Sequence, residues 1–171
     1  MLTKKLEKAL NEQMEMESYA SFLYLSMASW FDSEGMEGCT QFMFRQSEEE
    51  KDHMLRIYHY ILEMDGKAII SGVKRPPSKF KSAIDVFNAV YEHEQKVTKS
   101  INNLVSLSNK ESDHTTFNFL QWYVAEQMEE EALMRTILDR INLIGEGPQS
   151  LYYIDKEIEK LNDAETAKEE G

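Results

Sequence analysis

Cysteine is nearly missing from this chain: the one thiol, Cys39, permits neither an intrachain disulfide nor a Cys-x-x-Cys site. A reducing, cytoplasmic setting is therefore the expectation, with packing the simplest role for Cys39. Positive charge is also in deficit, with 19 Lys and Arg against 31 Asp and Glu and a net charge of −12. Nucleic acid and anionic membrane surfaces both require a basic face, so neither is an expected partner. No run approaches the ~18 uninterrupted apolar residues of a bilayer span. The start, Met1-Leu2-Thr3-Lys4-Lys5, lacks the apolar run of a signal peptide. Helix breakers are scarce, with seven glycines and three prolines that cluster. Ala, Leu, Glu, Lys, Met and Gln fill the long stretches between them, and these residues cost least in a helix. The chain reads as all-α, one domain around a single core.

Four long helices and a short fifth are predicted. The first spans about Lys4 to Phe31 with Thr3 as N-cap, and its core stripe is Leu6, Leu10, Gln13, Glu17, Ala20, Tyr24, Met27, Phe31. Asp32 to Gly35 break it, and a second helix runs from about Met36 to Met64 with stripe Cys39, Met43, Gln46, Glu50, His53, Ile57, Tyr60. Asp65 to Phe80, with Gly66, Gly72 and Pro76-Pro77, forms a connection too long for a simple turn. It is read as a crossover along the bundle. Ser82-Ala83-Ile84-Asp85 resembles a capping box and opens a third helix to about Leu107, with stripe Ala83, Phe87, Val90, Glu94, Val97, Ile101, Leu104. Asp113 caps a fourth helix ending near Ile144, with stripe Leu120, Tyr123, Gln127, Glu130, Met134, Ile137, Ile141. After Gly145 to Pro148 comes a short amphipathic helix carrying Leu151, Ile154, Ile158 and Leu161. The bundle with its fifth helix is taken to occupy 1–162. The acidic stretch 163–171 lacks an apolar face and is expected to fray.

Each long stripe is interrupted once by groups that can bind a metal. Glu17 lies about 17 residues before the first break and Glu50 about 16 after it, so in an antiparallel pair both sit roughly 25 Å from the turn. Glu94, and Gln127 with Glu130, repeat that arithmetic around the second break. A single mid-helix Glu is ordinarily a solvated face, and a single His an ordinary core histidine. Four stripes interrupted at one height are not ordinary. Packed together, Glu17, Glu50, Glu94, Glu130, His53 and Gln127 form one polar layer, whose carboxylates repel strongly in a low-dielectric core. Two divalent cations would neutralise them, and mixed carboxylate and imidazole ligation suits iron or manganese better than magnesium or calcium.

The local sequences sharpen this reading. They are Tyr24-Leu25-Ser26-Met27-Ala28, Glu49-Glu50-Lys51-Asp52-His53 and Tyr91-Glu92-His93-Glu94. The fourth helix adds Asn118-Phe119-Leu120-Gln121-Trp122-Tyr123-Val124-Ala125-Glu126-Gln127, then Glu129-Glu130-Glu131. With these motifs the chain resembles the non-haem bacterial ferritins from Leu2 to about Leu161. The resemblance implies a ferritin-like four-helix bundle and a ferroxidase centre with two irons per subunit. Glu17, Glu50 and His53 would hold the first iron, with Glu50 bridging to a second held by Glu94 and Glu130. Gln127 would sit beside them. Glu49, Glu126 and Glu129 match a neighbouring third iron site that shares Glu130, the alternative being an acidic solvent-facing patch. Tyr24 matches a tyrosine that supplies an electron, while Trp122 is read as structural. The implied substrates are Fe(II) with O2 or peroxide. The implied assembly is a hollow homo-oligomeric shell of 24 subunits storing ferric mineral, with the fifth helix at a four-fold axis.

Departures narrow the family. A second Glu-x-x-His and a haem-ligating Met, as in bacterioferritins, are replaced by Gln127-x-x-Glu130 and Lys51, so no haem is expected. A single cysteine excludes a rubredoxin-type segment. The competing reading is a ferritin-like di-iron oxidase or peroxidase acting on another substrate, which would leave Glu49, Glu126 and Glu129 without a purpose.

Overall fold

A computed structural model describes the backbone of residues 2–169 and the side chains of residues 2–167. Five helices make the fold: α1 (Lys4–Ser33), α2 (Glu37–Glu63), α3 (Ala83–Lys110), α4 (His114–Ile144) and α5 (Ser150–Glu169). The expected caps form. Thr3 accepts from the Leu6 amide at 3.3 Å, Asp113 from Thr116 at 2.9 Å, and Ser82 from Asp85 at 3.3 Å while donating its hydroxyl to the Asp85 carboxylate. Each satisfies an amide that helix geometry leaves open.

The stops share one backbone device. After α1, Gly35 takes φ +73°, its amide bonds Asp32 O, and Met36 N reaches Phe31 O. This is the Schellman pattern, which ties up carbonyls that the last turn leaves open. Asp65 (φ +57°) ends α2 and Ser112 (φ +55°) ends α3 in the same way, the left-handed residue followed by an amide that bonds back to Ile61 O and Ser108 O. After α1 and after α3 a short break returns the chain, so α1 lies along α2 and α3 along α4.

Residues 64–82 contain neither helix nor strand and cross between the hairpins. The Asn11 side chain donates to Lys67 O at 3.0 Å and accepts from Ile69 N at 2.6 Å, while Ser26 Oγ donates to Pro77 O at 2.7 Å. These anchors lie about 22 Å apart on α1 at 1.5 Å per residue. The connection therefore runs the length of the bundle, as a crossover must.

The core is split. One apolar cluster gathers Ala20 to Phe31, Cys39 to Met43, Val86 to Val90 and Met134 to Ile141; the other gathers Leu10, Met14, Ile57, Tyr60, Val97 to Leu104, Leu120 and Tyr123. Between them lie the buried polar residues Glu17, Glu50, His53, Glu94, Gln127 and Glu130. Those six define the layer that matters.

The fifth helix differs from the sequence expectation. Instead of fraying from 163, α5 continues to Glu169, and residues 170–171 lie outside the described part. The reason is tertiary, since α5 lies against α2 and α4. Asp155 on α5 accepts from the Cys39 amide at 2.9 Å, capping a first turn that has no side-chain cap of its own. Arg45 Nε donates to Asn162 Oδ1 at 2.8 Å, and Arg140 pairs with Glu157 at 2.6 Å. Burial pushes the Cys39 thiol far above its ordinary range, with Asp155 adding to it, so the group is an inert core residue.

Gly38 permits this contact. A methyl there would collide with Asp155 O and lie 2.9 Å from Glu159 Cβ. Gly38→Ala is expected to loosen α5 by about 1–3 kcal/mol of overpacking, read as faster hydrogen exchange at α5 amides. Unchanged exchange would mean that α5 tolerates the shift.

Candidate metal centre

One residue from α1, two from α2, one from α3 and two from α4 build the layer, each at mid-length of its helix. Glu17 is fully buried and Glu50 and Glu94 nearly so; His53 is 6% and Glu130 5% exposed. Glu17, Glu50 and His53 each offer a ligand atom, and these atoms lie within 4.8 Å of one another. His53 Nδ1 stands 3.4 Å from Glu50 Oε2. Both of those atoms, with Glu17 Oε2, are buried and have no hydrogen-bond partner. Buried polar atoms are ordinarily satisfied, so three unsatisfied atoms on residues close enough to share a cation mark a place for one.

Glu17 and His53 are oriented from outside. Gln13, one turn before Glu17, donates its amide to Glu17 Oε1. The His53 ring packs against Trp122 and Tyr123, at 5.5 and 5.4 Å between centroids. Trp122 in turn stacks on Tyr123 and lies under the Arg56 guanidinium at 3.7 Å, which gives it a structural place.

Glu94 and Glu130 share the layer but stand outside the close triad. Glu94 accepts from the Tyr24 hydroxyl on one oxygen and from Gln127 Nε2 on the other, at 3.0 Å. Gln127 also approaches Thr98 Oγ1 at 3.4 Å, and Thr98 donates to Glu131 at 2.6 Å. The same contact fixes Gln127 and Tyr24 around Glu94, so the two predicted accessories meet at one ligand candidate.

Electrostatics express the crowding. Burial, then Glu17, Glu94 and Glu130, push the Glu50 carboxyl well above its usual range. Glu130 is raised by burial, then by Glu49, Glu94 and Glu126. Burial lifts Glu94 to about 7, while the bonds from Tyr24 and Gln127 hold it down. Burial and then Glu94 raise the Tyr24 phenol, which stays protonated and donating. A layer that prefers protons when empty of cations is the behaviour of like charges without a counter-ion.

A second group lies beside the first. Glu49, His53 and Glu126 also bring ligand atoms within 4.8 Å, and His53 Nε2 is 3.9 Å from Glu126 Oε1. The imidazole thus faces the triad with Nδ1 and Glu126 with Nε2. Burial raises the Glu126 carboxyl, with His53 opposing. Glu129 is not in this group but lines, with Glu49, Glu126 and Glu130, a cavity of about 710 Å³ bounded by α2, α4 and α5.

Sequence reasoning gave no role to Gln13, Gln46, Thr98 or Arg45. Gln13 and Gln46 were visible as polar members of core stripes one turn before Glu17 and Glu50. Thr98 carries no such signal, because its partners Gln127 and Glu131 come from α4, and Arg45 shows only an i,i+4 pairing with Glu49, its contact with Asn162 coming from α5.

With this geometry in place, the comparisons are direct. A ferritin-like domain matches residues 7–144. A bacterial non-haem ferritin of Campylobacter jejuni is 48% identical over 94% of this chain and 96% of its own, and one of Escherichia coli is 40% identical over 95% and 98%. Among solved structures, an open pore ferritin of the archaeon Archaeoglobus fulgidus superposes with a TM-score of 0.90 at 44% identity, covering 92% of this chain and 96% of that one. Fold, motif positions and near-complete coverage agree: the chain belongs to the ferritin family, beside the bacterial non-haem ferritins.

Proposed function

We propose that this chain is an iron-storing ferroxidase: it takes up Fe(II), has it oxidised by O2 or peroxide, and holds the ferric product as mineral inside a shell of 24 subunits. The observation that carries the reading is the buried trio Glu17, Glu50 and His53, whose ligand atoms lie within 4.8 Å of one another and of which Glu17 Oε2, Glu50 Oε2 and His53 Nδ1 lack hydrogen-bond partners. Ferrous iron is substrate here. Glu17 and His53 hold one ion, and Glu50 reaches between it and a second held by Glu94 and Glu130. Anionic oxygen donors prefer the harder ferric ion, so the layer favours loss of an electron from bound iron. Gln127 and Tyr24 orient Glu94, and Tyr24 stands where it can supply an electron.

Glu49, Glu126 and Glu129, sharing Glu130, form a third cation site on the cavity next to the first two. The position of this cavity supports the reading, because it reaches the layer at Glu130, and Glu49 and Glu126 on its wall bring ligand atoms within 4.8 Å of one on His53. Assembly is supported by apolar surface that an isolated subunit leaves wet. Leu151, Tyr152 and Tyr153 on α5 and Phe22 on α1 are each more than half exposed. Among the described residues no helix is long and apolar enough to cross a membrane.

Stopped-flow absorbance tests the reading, with metal-free protein sized by sedimentation and mixed aerobically with two Fe(II) per subunit. A fast, saturable burst from a particle of about 24 subunits is expected. No burst above the buffer rate, on a small oligomer, would redirect the search to a di-iron oxidase with another substrate.

A further inference from the structure

Glu49 is held before any cation arrives. Its Oε2 accepts from Gln46 Nε2 at 2.8 Å and from Arg45 Nη1 at 3.1 Å. Arg45 is itself anchored at its other end, where Nε donates to Asn162 Oδ1 on α5 at 2.8 Å, and its guanidinium lies over the Phe42 ring at 5.6 Å. Among the described residues lining the cavity, Arg45 is the one base, against Glu49, Glu126, Glu129, Glu130 and Glu165. Its charge also opposes the rise of the Glu130 carboxyl.

An exposed ion pair gains little, because two long side chains must be ordered and water screens them. Here the Arg45 and Glu49 side chains are only 17% and 24% exposed, and α5 does the ordering. The guanidinium is planar, permanently charged and fixed by a bond at either end. A metal cation approaching Glu49 therefore meets a positive charge already in contact with that carboxylate. Repulsion between a divalent ion and a unit charge about 5 Å away is on the order of 1–2 kcal/mol even at the dielectric of water.

We infer that Arg45 is a built-in counter-cation of the third site, held against Glu49 by Asn162 of α5, which keeps the affinity of that site low. The inference rests on the reading of Glu49, Glu126 and Glu129 as a cation site. Weak binding suits a site from which oxidised iron must leave for the cavity, whereas the buried triad of Glu17, Glu50 and His53 binds tightly.

The test is calorimetric titration of the assembled, metal-free full chain with Zn(II), which has no redox step, supported by sedimentation. In Arg45→Gln, the affinity for the third Zn(II) is expected to rise on the order of tenfold relative to that for the first two. Arg45→Lys, which keeps the charge, returns it toward the wild-type ratio. Asn162→Ala removes this anchor without removing the charge, so a smaller rise of about threefold is expected. If Arg45→Gln keeps the wild-type ratio while Glu49→Gln loses the third ion, Arg45 is only a brace and the inference falls. If Glu49→Gln also leaves the third ion in place, the third-site reading itself falls and takes the inference with it. Should Arg45→Gln fail to assemble, Asn162→Ala decides, and an unchanged ratio there overturns the proposal.

Discussion

His53→Ala and Glu130→Ala are each expected to slow the first rapid oxidation of Fe(II) by about 100-fold or more, while the particle keeps its size. The magnitude follows from what is removed. Losing a group that merely orients a metal ligand commonly costs about 10–100-fold, and here a donor itself is lost. His53 supplies the imidazole nitrogen of the close triad, and its Nδ1 has no other partner to satisfy. Glu130 is a nearly buried carboxylate bordering both the layer and the 710 Å³ cavity. Neither side chain belongs to the two apolar clusters that pack the helices together. His53 lies against Trp122 and Tyr123, which remain stacked on one another at 4.4 Å without it. Burst amplitude and rate from stopped-flow, with sedimentation on the same samples, separate the two effects. Normal bursts in both variants would remove the layer from the reaction.

The two variants should also differ in stability. His53→Ala opens a space among aromatic rings and so weakens the core. Glu130→Ala removes a carboxylate whose neighbours Glu49, Glu94 and Glu126 already disfavour its charge. Relief of that repulsion offsets part of the lost packing. A site that lowers the stability of its own scaffold is a common sign that residues are kept for chemistry.

What the chain discloses in advance has a clear boundary. Glu17, Glu50, Glu94 and Glu130 could be placed in one layer because helix rise is constant and the two breaks fix the origin of each hairpin. All four are buried with His53 and Gln127, Glu17 lies with Glu50 and His53 within 4.8 Å by ligand atoms, and Gln127 bonds Glu94. Helix ends were legible for a similar reason, since capping chemistry is local: Ser82 with Asp85, Asp113 with Thr116, Gly35 after Ser33. The fold of family relatives agrees with the bundle so derived.

The C-terminal helix was not legible beyond Leu161. Residues 163–167 show no apolar face, and periodicity alone gives them nothing to pack on. Their order comes from Asn162 meeting Arg45, and from Asp155 capping the Cys39 amide, contacts separated by 117 and 116 residues. Gly38 carried the only hint, a glycine in a helix where Ala would be cheaper. Side-chain direction was likewise out of reach. Spacing places Gln127 in the layer, but only the folded arrangement aims its amide at Glu94 and Thr98.

Protonation of the layer leads to the second large effect. In the unfolded chain a glutamate titrates near 4.5, whereas folding raises Glu94 to about 7 through burial. Below pH 4.5 both states hold the proton and Glu94 contributes no pH slope. As pH rises from 4.5 to 7 the unfolded chain gives up its proton while the folded chain keeps it, so stability falls. Above 7 both are ionised and the loss stays constant, at about 3 kcal/mol for this one group. Metal-free wild-type protein should therefore lose about 3 kcal/mol more than Glu94→Gln between about pH 4.5 and 8, read from denaturant midpoints. Equal slopes for the two proteins would mean that Glu94 ionises in the fold as easily as in water. Glu50 and Glu130 shift in the same direction, so a variant lacking all three should show a shallower profile over that window than Glu94→Gln. Divalent cations reverse the sign. A bound cation stabilises the ionised carboxylates and displaces their protons, so Zn(II) should stabilise the wild type most at about pH 8 and release the most protons nearer about pH 6. The same burial that makes this layer costly without cations is thus expected to make it hold them strongly at neutral pH.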